Sequence, residues 1–173
     1  FEAINNAVNT PIILYNVPSR TNMNITPEAL LELSELSNMT AVKEASGNIS
    51  QIAKIKALCG DKLDIYSGND DQVTAILALG GIGVISVLAN IVPKAVHEMV
   101  MSYLTGDTNK SLSLQLEYLK LANDLFIETN PIPVKTALNL MGKEAGDLRL
   151  PLYEMDENNK AILCSTLQNY SLI

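Results

Sequence analysis

Residues Thr40–Asn48 read TAVKEASGN and place a single lysine, Lys43, in a short run of small and apolar residues. The Ser-Gly-Asn sequence that follows is typical of a turn. If the run is a buried strand, the amine of Lys43 is desolvated, and desolvation favours the neutral form. A neutral amine attacks carbonyl carbon, so the stretch predicts a Schiff-base lysine. The alternative interpretation is a lysine at the end of an edge strand whose ammonium group reaches water.

The lysine stretch is one of four short apolar runs that predict β-strands. Their predicted bounds are near residues 12–15, 41–45, 63–67 and 83–87. Helix signals lie between them: Thr26, Asn48 and Asp70 stand where helices are expected to begin and offer side-chain caps. Gln51, three residues after Asn48, completes the pattern of a capping box. The alternation predicts an α/β fold with a parallel sheet, and unbroken apolar runs are typical of a sheet covered on both faces.

The C-terminal part of the chain shows a different pattern, because strand signals give way to leucine-rich helical spacing. One long helix is predicted from Asn109 to Ile127, followed by a helix that begins at Pro133 and a last helix that Asp156 caps. The sequence therefore predicts an α/β region over residues 1–105 and an all-helical region over residues 106–173.

Composition narrows the classes of function. Apolar residues make up 47% of the 173 residues, and no apolar run approaches the ~20 residues of a membrane-spanning helix. A formal charge of −7 argues against nucleic acids and anionic membranes as partners. Cys59 and Cys164 are far apart in apolar settings, which indicates buried free thiols in a reducing compartment, and we expect a cytoplasmic protein. The sequence begins at Phe1, without an initiator Met and with a helix already under way, so we expect that it follows a cleavage site or is a piece of a longer chain.

Side chains suited to carbonyl chemistry follow the predicted strands. Parallel α/β sheets place their chemistry at the carboxyl ends of the strands. Tyr15 ends the first strand, Arg20 follows it, and Lys43 lies near the end of the second. A lysine would attack a ketone, a phenol would pass protons, and a guanidinium would bind a carboxylate through two hydrogen bonds.

Each of these side chains also has a structural interpretation. Tyr15 would then be a core aromatic whose hydroxyl group is satisfied by backbone, and Arg20 a solvated loop charge. His97 is the only histidine, which argues against a histidine-based metal cluster. The residues alone leave both interpretations open.

Five motifs resemble those of the dihydrodipicolinate synthase family. They follow the family's order and spacing and cover nearly the whole chain: YNVPSRT (15–21), VKEASGN (42–48), YSGND (66–70), GVISVLAN (83–90) and NPIPVK (130–135). The resemblance implies a class I aldolase on a TIM (β/α)8 barrel with a C-terminal helical extension. It also implies condensation of pyruvate with aspartate semialdehyde in lysine and diaminopimelate biosynthesis, with no cofactor besides pyruvate held as a covalent imine.

The resemblance implies a role for each matching residue. Lys43 would form the imine with pyruvate, and Tyr15 would relay protons. Arg20 would bind the carboxylate of the semialdehyde, Ile85 would contact pyruvate, and Gly68 would line the pocket. The related N-acetylneuraminate lyases share the tyrosine and the lysine but not an arginine in a Pro-Ser-Arg-Thr setting. Arg20 therefore favours the synthase, with a lyase-like aldolase as the alternative.

The family barrel has eight strands, and this chain supplies what resemble the last four. We therefore expect the C-terminal half of a TIM barrel, about four parallel βα units, plus the helical extension. The absent half would carry a threonine pair, the second tyrosine of the relay and the lysine-inhibitor site. Two hypotheses follow: a catalytic half of a pyruvate-dependent aldolase, or a non-catalytic half-barrel. In a half-barrel the apolar runs 12–15 and 83–87 would be exposed edges, so we expect a homo-oligomer or docking with the absent half.

Overall fold

Four parallel strands form one sheet in the computed structural model, which describes residues 1–173. The strands are β1 (Ile12–Asn16), β2 (Met39–Glu44), β3 (Asp64–Ser67) and β4 (Gly83–Val84). They lie side by side in chain order, so β1 and β4 are the two edges. All three pairings are parallel, which confirms the α/β fold predicted from the alternating pattern.

Helices precede, connect and follow the strands. Those that lie among or directly after the strands are α1 (Glu2–Ala7), α2 (Pro18–Thr21), α3 (Pro27–Leu33), α4 (Ile49–Cys59), α5 (Val73–Ala78) and α6 (Pro93–Leu104). The C-terminal part contains α7 (Thr108–Glu117), α8 (Leu119–Asp124), α9 (Ile132–Leu140) and α10 (Glu157–Asn169). Short 3-10 helices cover Asp70–Gln72 and Leu88–Asn90. None of these helices has both the length and the apolar character that crossing a membrane requires.

Side-chain caps begin the three helices whose starts were predicted at or next to Thr26, Asn48 and Asp156. Thr26, Asn48 and Asp156 each accept a hydrogen bond from the backbone N–H group three residues further along the chain. Such bonds satisfy N–H groups that the first turn of a helix leaves unpaired. The predicted starts of α3, α4 and α10 are therefore confirmed.

The fourth strand is shorter than predicted, because the side chain of Asp70 binds the backbone that follows it. Asp70 does not cap α5, so that prediction is wrong. Its Oδ2 atom accepts hydrogen bonds from the N–H groups of Val87 and Leu88, at 2.9 Å each. Two successive N–H groups pointing at one oxygen bend the chain into the 3-10 helix that follows, and β4 ends at Val84.

Helices cover only one face of the sheet, so the prediction of a sheet covered on both faces is wrong. On the covered face Leu14, Val42 and Ile65 are at most 2% exposed and pack in one apolar cluster with side chains of α3, α4 and α5. On the uncovered face Ile13 is 48% exposed and Tyr15 is 49% exposed. Side chains alternate between the faces of a strand. An unbroken apolar run therefore also fits a barrel strand, whose second face points into the barrel interior.

A second apolar cluster holds the C-terminal helices against the segment that follows β4. Leu121 of α8, Ala137 of α9 and Leu163 of α10 are completely buried in it, and Leu88 joins them. The cluster contains residues from both sides of position 105. The division of the chain at that position stays a prediction.

The prediction of a single helix over residues 109–127 is wrong. Tyr118 separates α7 from α8, and its backbone dihedral angles (φ −92°, ψ 5°) depart from the helix. The ring of Tyr118 stacks on the ring of Tyr170, with centroids 5.3 Å apart and an interplanar angle of 19°. A contact between rings so far apart in the chain leaves no local pattern in the sequence.

Cys59 and Cys164 are free thiols, and we expect them to differ in reactivity. Cys59 is 2% exposed, and its burial raises the pKa of the thiol above the usual value, an effect that nearby Lys62 opposes. Cys164 is partly exposed, contrary to the expectation of two buried thiols. Because the thiolate is the reactive form, a disulfide reagent at about pH 8 should modify Cys164 at least ~10-fold faster than Cys59. A rapidly reacting thiol in the Cys164→Ser variant would contradict this prediction.

Candidate active site

Tyr15, Lys43 and Tyr66 form a row across the uncovered face of the sheet. Tyr15 pairs in register with Lys43, and Lys43 pairs in register with Tyr66. Gly83 of β4 continues the row, and a Cβ atom at Gly83 would lie 3.2 Å from the ring of Tyr66. The glycine thus leaves room for the ring. Three neighbouring strands present one amine between two phenols.

The Nζ atom of Lys43 lies 4.3 Å from the centroid of the Tyr15 ring. At this distance the face of the ring attracts an ammonium group. The structure therefore brings together the two residues that were predicted to be catalytic. Lys43 is partly buried and Tyr15 is half exposed, so the amine of Lys43 is shielded from water only in part. The reason is the uncovered face of the sheet, from which water reaches the pair.

Arg20 lies in α2, directly after the carboxyl end of β1. Its side chain is exposed, and its Nη2 atom donates a hydrogen bond to the carbonyl oxygen of Asn130 at 3.5 Å. Both residues line a cavity of about 500 Å³ between α2 and the loop that follows α8. Arg20 thus faces this loop, at the same edge of the sheet as the end of β1.

Gly68 and Ile85 extend the strand ladder at the carboxyl ends of β3 and β4. The N–H group of Gly68 donates to the carbonyl oxygen of Glu44 at 2.7 Å, and that of Ile85 donates to the carbonyl oxygen of Ser67 at 2.9 Å. The side chain of Ile85 is 38% exposed. Both predicted binding residues therefore lie at the edge of the sheet where β2, the strand of Lys43, ends.

Replacing Gly68 with alanine is expected to destabilise the fold by about 1–3 kcal/mol, the usual range for overpacking. A Cβ atom at Gly68 would lie 2.6 Å from the Cβ atom of Ala45 and 3.1 Å from the carbonyl oxygen of Glu44. The backbone cannot move away without breaking the hydrogen bond from Gly68 to Glu44. Urea unfolding, followed by circular dichroism, measures the change.

Gly83→Ala is the matched control for this prediction. The new Cβ atom would contact only the ring of Tyr66, so we expect a smaller loss of stability than for Gly68→Ala. Equal losses in the two variants would contradict the steric explanation.

A buried polar pair beside the catalytic candidates was not predicted from the sequence. Asn16 and Glu44 directly follow Tyr15 and Lys43, pair in register, and are each 1% exposed. The Nδ2 atom of Asn16 donates to both carboxylate oxygens of Glu44, at 3.2 and 2.9 Å. The sequence does carry one signal for the pair: a glutamate inside an apolar strand requires buried hydrogen-bond partners.

The predicted capping box at the start of α4 is only half right. Asn48 caps the helix, but the side chain of Gln51 does not return to the N–H group of Asn48, which donates to the Oγ atom of Ser46 at 3.2 Å. The Nε2 atom of Gln51 donates instead to Glu44 at 3.2 Å and to Asn24 at 3.1 Å. Gln51 therefore belongs to the polar cluster around Glu44.

The structure contains no group of three or more His, Cys, Asp or Glu side chains arranged to hold a metal ion. The carboxyl edge of the sheet offers the amine of Lys43, the phenols of Tyr15 and Tyr66 on either side of it, and the guanidinium of Arg20. These are the groups that imine formation and carboxylate binding use.

Comparison with known proteins identifies relatives along the whole chain. A model of the Dihydrodipicolinate synthetase family matches residues 1–170. The 4-hydroxy-tetrahydrodipicolinate synthase of Clostridium novyi is 59% identical over 171 residues, which are 99% of this chain and 58% of the relative. The 4-hydroxy-tetrahydrodipicolinate synthase 1 of Clostridium acetobutylicum is 62% identical over 173 residues, which are 100% of this chain and 59% of the relative.

Solved structures lead to the same group of proteins. Dihydrodipicolinate synthase from Thermotoga maritima superposes with a TM-score of 0.96 at 38% identity, over 99% of this chain and 60% of that one. A monomeric dihydrodipicolinate synthase variant superposes with a TM-score of 0.95 at 38% identity, over 99% of this chain and 59% of that one. The chain spans 58% of the Clostridium novyi relative and 59% of the Clostridium acetobutylicum relative, and its four-stranded sheet is half of a TIM barrel. The chain belongs to the dihydrodipicolinate synthetase family, whose members are lyases.

Proposed function

We propose that this chain carries the Schiff-base centre of a pyruvate-dependent class I aldolase, with Lys43 as the nucleophile. The observation that carries the proposal is the contact between Lys43 and Tyr15, in which the amine lies 4.3 Å from the ring centroid. The pair lies on the face of the sheet that points inwards in a closed barrel. An amine and a phenol suit imine chemistry, because the amine attacks carbonyl carbon and the phenol moves protons. The names of the relatives, 4-hydroxy-tetrahydrodipicolinate synthases, support this assignment.

The proposed reaction begins when the neutral amine of Lys43 adds to the ketone carbon of pyruvate. Loss of water from this adduct gives the imine, and loss of a proton from the methyl carbon gives the enamine. The enamine carbon attacks the aldehyde carbon of aspartate semialdehyde, and the aldehyde oxygen takes up a proton. Hydrolysis of the imine releases the product and restores the amine. Tyr15 is proposed to carry the protons of these steps, and no cofactor besides pyruvate is proposed.

The remaining residues at this edge are proposed to bind the substrates. Arg20 is the exposed cation that follows β1, and a guanidinium suits the carboxylate of the semialdehyde. The apolar side chain of Ile85, which is 38% exposed, suits contact with the methyl group of pyruvate. Gly68 allows β3 and the end of β2 to approach closely, which keeps the floor of the pocket free of a side chain.

Borohydride trapping tests the proposal directly. Pyruvate and borohydride are added to the folded chain, and the intact mass is measured before and after digestion. Imine formation releases one water molecule and reduction adds two hydrogen atoms. The expected mass increase is therefore that of pyruvic acid minus one oxygen atom, and the modified peptide should contain Lys43. A chain that is folded by circular dichroism but takes up no adduct would refute the proposal for this chain.

The second candidate function is a half-barrel without catalytic activity of its own. The observation in its favour is the exposure of Tyr15, which leaves the amine of Lys43 open to water from the uncovered face. Desolvation of the reacting groups is then incomplete, and imine formation is disfavoured. Trapping separates the two candidates, because only the first gives an adduct at Lys43.

We expect the chain to associate with a second copy or with the remainder of a family barrel. β1 and β4 are unpaired edges, and the uncovered face carries Ile13 and Ile85, which are 48% and 38% exposed. Unpaired strand edges and exposed apolar faces favour association. Sedimentation velocity should show a weight-average mass that rises with concentration. A single monomer peak at every concentration would contradict this prediction.

A further inference from the structure

Glu44 carries a carboxyl group that the proposed reaction does not use, although it directly follows Lys43. Its side chain is 1% exposed, and none of the ion pairs of the structure includes it. Both oxygens act as acceptors: Asn16 donates to each of them, Ser46 N–H donates to Oε1 at 2.7 Å, and Gln51 donates to Oε2 at 3.2 Å. Burying a carboxylate without a cation costs free energy, which the four hydrogen bonds from these three donor groups offset.

The orientation of the Asn16 amide is fixed by the backbone. The N–H group of Ile25 donates to Oδ1 of Asn16 at 2.9 Å, and an N–H group can only donate. The Nδ2 atom of Asn16 must therefore face Glu44. Two further amides complete the cluster: Asn24 and Gln51 donate to and accept from each other, and Oδ1 of Asn24 also accepts from Nδ2 of Asn16 at 2.9 Å. Neither of these two side chains is bonded to a backbone group, so both can turn over together when residues 16 and 44 exchange donor and acceptor.

The Asn16–Glu44 pair joins the two strands that carry the catalytic candidates. Tyr15 and Lys43 are the preceding residues on the same strands, and successive side chains point to opposite faces. Backbone bonds lie on both sides of the pair: Ala45 N–H donates to the carbonyl oxygen of Asn16 at 2.9 Å, between β2 and β1, and Gly68 N–H donates to that of Glu44 at 2.7 Å, between β3 and β2. The register of β1 and β2 at this point decides how far Lys43 lies from Tyr15.

We propose that Glu44 is a positioning residue for Lys43. The hydrogen bonds that Glu44 accepts from Asn16, called the clamp below, keep the carboxyl ends of β1 and β2 in register, so that the amine of Lys43 stays over the Tyr15 ring. The inference rests on the proposed function of Lys43 and adds a residue to it. Glu44 does not touch substrate. It acts through the backbone, where a displacement of about 1 Å can cost a reaction ~10²-fold.

Glu44→Gln tests the clamp with almost no change in side-chain volume. The new amide presents an NH2 group where one oxygen accepted, and the fixed Nδ2 of Asn16 then faces a second donor or loses one of its two bonds to residue 44. We expect the rate of pyruvate trapping at saturating pyruvate to fall at least ~10-fold, with the helical circular dichroism signal retained.

Asn16→Asp in the Glu44→Gln background tests whether the pair itself matters. The introduced carboxylate accepts from the introduced amide and still accepts from Ile25 N–H, while the amides of Asn24 and Gln51 turn over to restore their bonds. We expect this double variant to recover most of the lost trapping rate, which a general loss of stability would not do.

Asp124→Asn is the matched control for the loss of a buried carboxylate. Asp124 is 7% exposed, and its carboxyl group is bonded to Lys120 and Thr166, far along the chain from Glu44. The substitution makes the same change from carboxylate to amide without touching β1 or β2. Trapping should therefore stay at the wild-type rate.

Two results would overturn the proposal: a wild-type trapping rate in Glu44→Gln, or a double variant as slow as Glu44→Gln alone.

If the unmodified chain takes up no pyruvate, the proposed function fails and the clamp is tested by hydrogen exchange instead. The amides of Ala45 and Gly68 should then exchange at least ~10-fold faster in Glu44→Gln and return towards the original rate in the double variant. Unchanged exchange at these two amides would refute the clamp.

Discussion

Lys43→Met should abolish the borohydride-trapped pyruvate adduct. Methionine keeps a long unbranched side chain over the Tyr15 ring, so the packing of the row changes little, but the amine is gone. Removing the nucleophile of a covalent mechanism costs on the order of 10³-fold or more in rate. The expected result is an adduct level no higher than that of the urea-unfolded chain, measured by intact mass.

Lys62→Met is the matched control for this loss. Lys62 is an exposed lysine that pairs with Glu35, and exposed ion pairs contribute only about 0–1 kcal/mol. The control should therefore keep its fold and its adduct. An adduct that persists in Lys43→Met, or one that spreads over several lysines in the unmodified chain, would show that the chemistry does not depend on the Lys43 environment.

The pairing of Tyr15 with Lys43 illustrates what sequence reasoning can predict about a site. Parallel strands end at one edge of a sheet, so residues at the ends of two successive strands were expected to be neighbours. The structure shows the two residues in register. The topology alone was sufficient, since β1 and β2 are adjacent in the chain and in the sheet.

Arg20 shows where that reasoning stops. A residue beyond the end of a strand is placed by the loop or helix that carries it, and α2 directs Arg20 towards the carbonyl group of Asn130, 110 residues away in the sequence. The predictions for Asp70 and Gln51 are wrong for the same reason. Both residues are predicted to cap a helix start, but Asp70 accepts a hydrogen bond from Val87, 17 residues away, and Gln51 donates one to Glu44 of β2. Local patterns cannot rank such long-range partners.

The environment of Lys43 could not be predicted from its own strand. An unbroken apolar run is typical of a sheet covered on both faces, and the same run also fits a strand with one face in the core and one towards a barrel interior. What covers the second face is a property of the assembly. The cover on the second face decides how far the amine of Lys43 is desolvated. The catalytic hypothesis needs that desolvation, and the half-barrel hypothesis assumes that it is incomplete.

Ile65→Ala should destabilise the fold by about 2–5 kcal/mol, the usual cost of a large-to-small change in a core. Ile65 is 1% exposed on the covered face of β3, where it packs with Ile52 and Ile76 of the neighbouring helices. Truncation removes apolar contact area and leaves a cavity that rigid neighbours cannot fill. Urea unfolding, monitored by circular dichroism at a low protein concentration, measures the loss.

Ile13→Ala is the same substitution on the opposite face of the sheet and separates the two environments. Ile13 is 48% exposed, so in an isolated chain its truncation should cost less than about 1 kcal/mol. If a second copy covers this face, the cost of Ile13→Ala should grow with protein concentration, because association adds to apparent stability. Equal costs for Ile65→Ala and Ile13→Ala at all concentrations would contradict the one-sided sheet, and with it the open approach of pyruvate to Lys43.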